Sequence, residues 1–285
     1  MSVGAHPAAL AVGDLRRFAR ERFPPWATVP LGALLHAAPA SLGRPPPLEL
    51  AAGGLATWLG LLCLRVADDL SDLERDRALH PERGLSAGAI DPGRLRKVNL
   101  GLAAALLALE STSTWRLAFF VGAGAHCLGW LSWRQRVHPV ARPFLSNLVF
   151  PCVVLHAAGP GAWRPAILLA VYAWLAAVAH EFAHNVRSPE EEGPLGPGYA
   201  RTLGAGGTAV LGAALFATAA LAGALLWLML DRPVVFGGAL VGAAAGLSLF
   251  LRRLLRDRAP ASGRSVYRAG IVFALVPALG LLVGR

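Results

Sequence analysis

The sequence is short of charge: Asp, Glu, Lys and Arg make up 15% of its 285 residues, where a soluble domain carries roughly 25%. Its three cysteines are too few and odd in number for a disulfide framework. Cys63, Cys127 and Cys152 all fall in or beside apolar runs, where a thiol acts as small apolar filler. A Walker-type phosphate loop and Gly-x-Ser-x-Gly are absent, and glycines spaced like a dinucleotide loop lie inside apolar runs, not after a strand. In place of charge there is apolar bulk, 55% of the residues, with a mean hydropathy of +0.52. A globule of this size cannot hide that much apolar surface from water, so part of its solvent is lipid. The same figures exclude a disordered chain.

Nine apolar runs are long enough, or nearly so, to cross a bilayer as helices: 26–42, 48–67, 95–112, 115–133, 143–161, 164–184, 203–230, 233–251 and 266–284. The first is the weakest, with Pro25, Pro30 and Pro39 in or beside it. Residues 1–25 carry Arg16, Arg17, Arg20 and Arg22 without an apolar core of a signal peptide, and read as an amphipathic helix on the cytoplasmic membrane surface. The whole of 1–285 reads as one transmembrane domain. With the N-terminus in the cytoplasm, 22 of the 27 basic residues fall inside, leaving Arg44, Arg116, Arg164, Arg232 and Arg285 outside. That asymmetry follows the positive-inside rule and accounts for an isoelectric point near 11.0 without nucleic acid. Trp26, Trp115, Trp133, Trp163 and Trp227 fall near run ends, as in an aromatic belt. The expectation is a multi-pass protein of the cytoplasmic membrane.

The second run leads into Arg65-Val-Ala-Asp68-Asp69-Leu-Ser-Asp72-Leu-Glu-Arg-Asp76. Four of the chain's eight aspartates lie within nine residues. On a continuous helix Asp68, Asp72 and Asp76 recur at i, i+4 and i+8, with Asp69 three before Asp72, so all four share one face. Like charges so placed repel by a few tenths of a kcal/mol per pair in water and by more near lipid. A divalent cation relieves the repulsion, and oxygen-only ligands suit Mg²⁺. The plainer alternative is a solvated helix end balanced by Arg65, Arg75 and Arg77.

Asp69-x-x-Asp72-x-x-x-Asp76, followed by Pro81-x-Arg83 and Gly88, resembles the first aspartate-rich motif of the UbiA superfamily of intramembrane prenyltransferases. Asp68 stands where that family has Asn, and Gly84 where it often has a second Pro. The resemblance implies about nine helices in an all-α barrel and Mg²⁺-dependent ionisation of an isoprenoid diphosphate. It gives the metal to Asp68, Asp69, Asp72 and Asp76, and catalysis to Asp69, Asp72, Asp76 and Glu181. The family's second acidic motif follows the sixth run, usually as Asp-x-x-x-Asp. Here Glu181 and Asn185 keep the spacing but not the residue types. They are the candidates for a second Mg²⁺, with Glu190, Glu191 or Glu192 folding back to compensate. Arg136 and Arg142 of the basic segment beginning at Arg134, with Arg83 and Arg187, are the candidates for the diphosphate, which Arg grips in bidentate fashion.

His180-Glu181-Phe-Ala-His184 is also formally a zincin signature, but a zinc protease needs a third ligand, and Asp231 and Asp257 lie at run ends. His126 and His156 lie inside runs, where a polar side chain faces a cavity or another helix. The reading is a Mg²⁺-dependent prenyltransferase acting at the cytoplasmic side on an isoprenoid diphosphate and an aromatic or other lipophilic acceptor. The alternatives are a terpene cyclase of the same superfamily, which needs no acceptor; a membrane zinc metalloprotease; and a non-enzymatic transporter.

Overall fold

A computed structural model describes residues 7–43, 45–187, 198–231 and 233–283. Arg44, Arg232, Arg285 and Glu190 to Glu192 lie outside the described residues. Among those described every regular element is helical. In order they are α1 (Pro7–Arg22), α2 (Pro25–Ala40), α3 (Pro47–Ser71), α4 (Leu73–Leu79), α5 (Pro92–Glu110), α6 (Thr114–Trp133), α7 (Arg142–Ser146), α8 (Val149–Ala158), α9 (Trp163–His184), α10 (Tyr199–Met229), α11 (Val234–Asp257) and α12 (Pro260–Val283).

Each of the nine expected runs coincides with a helix or a broken helix. Among the described residues six stretches are long and apolar enough to cross a membrane: α3, residues 139–158, residues 160–184, α10, α11 and α12. The other three fall short of that measure. α2 is only 16 residues long and holds Pro30 and Pro39, while α5 carries Arg94, Arg96 and Lys97 in its first turns. The fifth run is not one straight helix, because Asn147 and Leu148 interrupt it between α7 and α8. α10 is kinked at Gly204, whose φ of 67° suits a residue without a Cβ.

Between apolar helices in lipid, close backbone approach takes over from water-driven burial. α12 crosses α9 at Gly263, where an added Cβ would lie 2.5 Å from the Ala183 carbonyl oxygen. The main core fills the space among α9 to α12, around the fully buried Phe182, Phe216, Phe236 and Phe273.

The N-terminal helix differs from the expectation of a helix lying on lipid. α1 is docked on the protein itself: Phe18 is fully buried against Leu62 and Val66 of α3, Leu85 and Ile90 of the following loop, and Leu95 of α5. Polar clasps surround that seam. Arg94 Nε donates to Asp14 at 2.7 Å, Arg17 to the Ala89 carbonyl at 2.7 Å, and the Gly84 amide to Glu21 at 3.0 Å.

Candidate functional site

The four aspartates do not form one face. α3 stops at Ser71, Asp72 sits at the junction with φ −96° and ψ 4°, and Asp76 belongs to the short α4. Asp68 and Asp72 remain together and share one cation. Arg134 Nη1 lies 3.4 Å from Asp68 Oδ1 and 3.3 Å from Asp72 Oδ2, while its Nη2 reaches Asp72 Oδ1 at 2.6 Å and Ser71 Oγ at 3.1 Å. Asp69, one residue round the helix from Asp68, points elsewhere. Only 5% exposed, it takes Arg22 Nε at 2.7 Å, Arg22 Nη2 at 3.3 Å and Arg65 Nη2 at 2.7 Å. The pairing raises the Arg22 pKa further above its ordinary value, chiefly through the hydrogen bond to Asp69. Asp76 pairs with Arg83 at 2.5 Å.

Of the other expected phosphate-binding arginines, Arg142 donates to the Val137 carbonyl at 3.0 Å and Arg136 is exposed. Around Glu181, Asn185 Nδ2 donates to its Oε1 at 3.0 Å, Arg187 Nη2 donates to Asn185 Oδ1 at 3.0 Å, and Tyr199 adds a side-chain hydrogen bond. Asn185 therefore links carboxylate to guanidinium through its two different ends. Its oxygen is turned to Arg187, so it does not stand beside Glu181 as a second ligand oxygen.

His180 and His184 gather no third metal ligand among the described residues. Both rings lie on Tyr267 of α12, with centroids 3.7 Å and 4.8 Å away. Among the described residues no three His, Cys, Asp or Glu are gathered to hold a metal ion. The donor set at Asp68 and Asp72 nevertheless fits a hard divalent cation. Two partly exposed carboxylates already enclose one positive centre, the Arg134 guanidinium, and Mg²⁺ takes one or two carboxylates and completes its shell with phosphate and water.

The segment 134–144 ties both polar groups to one end of the bundle. Arg134 reaches Asp68 and Asp72, Pro139 abuts Gly198, and the Phe144 carbonyl accepts from Trp174 Nε1 of α9 at 2.8 Å. Below these groups lie two apolar chambers. The first, about 240 Å³, is walled by α3, α5, α6 and α8 and runs up to Ala67, the neighbour of Asp68, and to Leu131, one turn before Arg134. The second, about 510 Å³, is walled by α2, α8, α9 and α12 and reaches His180, Glu181 and Tyr267. α8 is the partition. Val149, Cys152, Val153 and His156 face the first chamber, Phe150 and Val154 the second.

No family model and no curated protein matches the sequence. The backbone does match a solved structure, that of a digeranylgeranylglyceryl phosphate synthase in membranes, with a TM-score of 0.73 over 96% of this chain and 98% of that one. The chain therefore shares the fold of that synthase, a protein of the UbiA superfamily. Sequence identity is 15%, so the likeness is one of fold. Within the UbiA-type fold, sequence reasoning missed Arg22, Asp14 and Tyr267, because each meets its partner from a distant stretch of chain. The spacing Val149, Cys152, Val153, His156 was a helical signal, but both sides of α8 are apolar and the pattern did not stand out.

Proposed function

We propose that the chain is an intramembrane prenyltransferase that ionises an isoprenoid diphosphate and passes the prenyl group to a lipophilic acceptor. The observation that carries this reading is the pair of apolar chambers divided by α8, one beneath Asp68, Asp72 and Arg134, the other reaching Glu181. Two lipids then have two places, which favours transfer between molecules over cyclisation of one. The name of the structural relative, a synthase of a doubly prenylated glyceryl phosphate, agrees with prenyl transfer.

In this reading the donor's tail lies in the first chamber and its diphosphate at the mouth. Mg²⁺ held by Asp68 and Asp72 would neutralise the diphosphate and favour its departure. Arg134 moves from the two carboxylates onto the phosphate oxygens, and Arg83, Arg136, Arg142 and Arg187 add positive charge where negative charge develops. Asp76 keeps Arg83 in place, and Asp69 fixes Arg65 and Arg22 beneath the mouth. The allylic C–O bond breaks, and the apolar walls keep water from the resulting cation. The acceptor approaches from the second chamber, where Glu181, oriented by Asn185 and Tyr199, takes the proton that the acceptor loses.

The test is product analysis. Membranes carrying the protein are incubated with geranyl, farnesyl or geranylgeranyl diphosphate, with Mg²⁺ or with a chelator. A prenylated lipid that forms only with Mg²⁺ is expected. Hydrocarbons or terpene alcohols alone would turn the reading into a cyclase, and no turnover of any diphosphate would remove the enzyme reading.

A further inference from the structure

The first chamber ends on groups that an apolar tunnel does not need. At the end away from Asp68 its wall includes Glu110, the last residue of α5, and His156 of α8, only 4% and 8% exposed. Their side chains meet at 3.0 Å between Oε2 and Nε2. His36 of α2 stands beside His156, ring edge to face with centroids 6.3 Å apart, and its Nδ1 is 3.3 Å from Thr57 Oγ1 of α3. The backbone is shaped for this cluster. A Cβ added at Gly53 would lie 2.0 Å from His36 Nε2, so a glycine is needed to leave the imidazole its room.

Ionisable groups shut away from water are costly, and apolar side chains of like volume often hold a core together at least as well. Packing alone therefore does not account for the pair. A chain extended from the mouth meets it end-on, and a methyl terminus offers nothing to replace the bond between Glu110 and His156. We propose that the Glu110–His156 pair is the floor of the donor chamber and sets the longest isoprenoid chain that lies in it. This inference rests on the prenyltransferase reading.

The dimensions name the chain. From Ala67 to Ala56 α3 advances about 16 Å, at ~1.5 Å per residue. An extended chain covers roughly 3.5 Å per three bonds, so the main chain of farnesyl, about 12 carbons, spans roughly 13 Å, and that of geranylgeranyl, about 16 carbons, roughly 18 Å. Farnesyl fits above the floor. Geranylgeranyl overruns it and has to turn out between α5 and α6, where Leu100 and Leu128 of the wall are 63% and 66% exposed.

Two changes move the floor in opposite directions. Glu110→Ala combined with His156→Ala deepens the chamber. Gly60→Leu shortens it, and a Cβ there meets nothing within 4 Å, so the backbone need not move. The readout is kcat/KM for the three diphosphates. The double variant should raise the geranylgeranyl-to-farnesyl ratio about tenfold, and Gly60→Leu should lower the farnesyl-to-geranyl ratio by about as much, the scale of methylene-level discrimination in an apolar pocket. Unchanged ratios in Gly60→Leu with turnover intact overturn the inference and leave the prenyltransferase reading standing. Should the double variant fail to fold, thiol protection gives a second measurement, because Cys63, Cys127 and Cys152 all line this chamber. Farnesyl diphosphate should slow their alkylation by a maleimide. Turnover without protection also overturns the inference. If no prenyl diphosphate is turned over and none protects the thiols, the prenyltransferase reading falls and this inference with it.

Discussion

Asp72 closes one helix and opens another, and both oxygens of its carboxylate lie on Arg134. Asp69, three residues before it, is held by Arg22 and Arg65 and almost closed to solvent. The two acids should therefore fail differently. Asp72→Asn removes a charge that, in the proposed function, faces the diphosphate. It should lower the rate at least about 100-fold, the scale of losing one preorganised electrostatic partner, and raise the Mg²⁺ concentration for half activity. Asp69→Asn strands two guanidinium groups at a part-buried seam. It should cost stability first, about 3 kcal/mol as for breaking a buried pair, read as a lowered unfolding midpoint in detergent. At the other polar group, Glu181→Gln keeps the size and removes the charge, and should slow turnover strongly. Asn185→Asp puts a second carboxylate where an amide now donates to Glu181 at 3.0 Å. The protein should be less stable, and turnover should fall because Glu181 loses the amide that orients it. Unchanged turnover in both variants would take Glu181 out of the site.

α1 reaches its partners across long stretches of sequence: Arg22 to Asp69, Glu21 to Gly84 and Asp14 to Arg94. None of these pairings is written in local spacing, so the sequence offered only an amphipathic basic helix. The apolar runs were legible because each carries its own signal of length and composition. The break at Asp72 was not, because neither Gly nor Pro stands there and the i, i+4, i+8 pattern of acids reads as one helix. Likewise the second motif was legible as Glu181 and Asn185, but the use of His180 and His184 against Tyr267 depends on α12, more than eighty residues on. If Arg22 is the bolt of α1, Arg22→Ala should expose Arg16, Arg17 and Arg20 to trypsin faster than in the wild type. Cleavage at the wild-type rate would mean that Phe18 and its apolar neighbours alone hold α1 down.

At the scale of the molecule, the two polar groups stand at one end of a helical bundle, where segment 134–144 joins them, and Glu49 with Arg116 mark the other. With 22 of 27 basic residues on that side, the positive-inside rule predicts that the first end faces the cytoplasm. A reporter fused after Arg285 should then be active outside the cytoplasm, and cytoplasmic activity would mean that the chain crosses an even number of times. We propose that a diphosphate leaves from the mouth formed by Asp68, Asp72 and Arg134. The most direct test is inorganic diphosphate release by the purified protein in lipid nanodiscs supplied with farnesyl diphosphate, a lipophilic acceptor fraction and Mg²⁺. A chelator should stop this release, Asp72→Asn should abolish it, and His180→Ala or His184→Ala should reduce it less. Release unaffected by Asp72→Asn, or its absence in the wild type with every isoprenoid diphosphate supplied, would contradict the proposal.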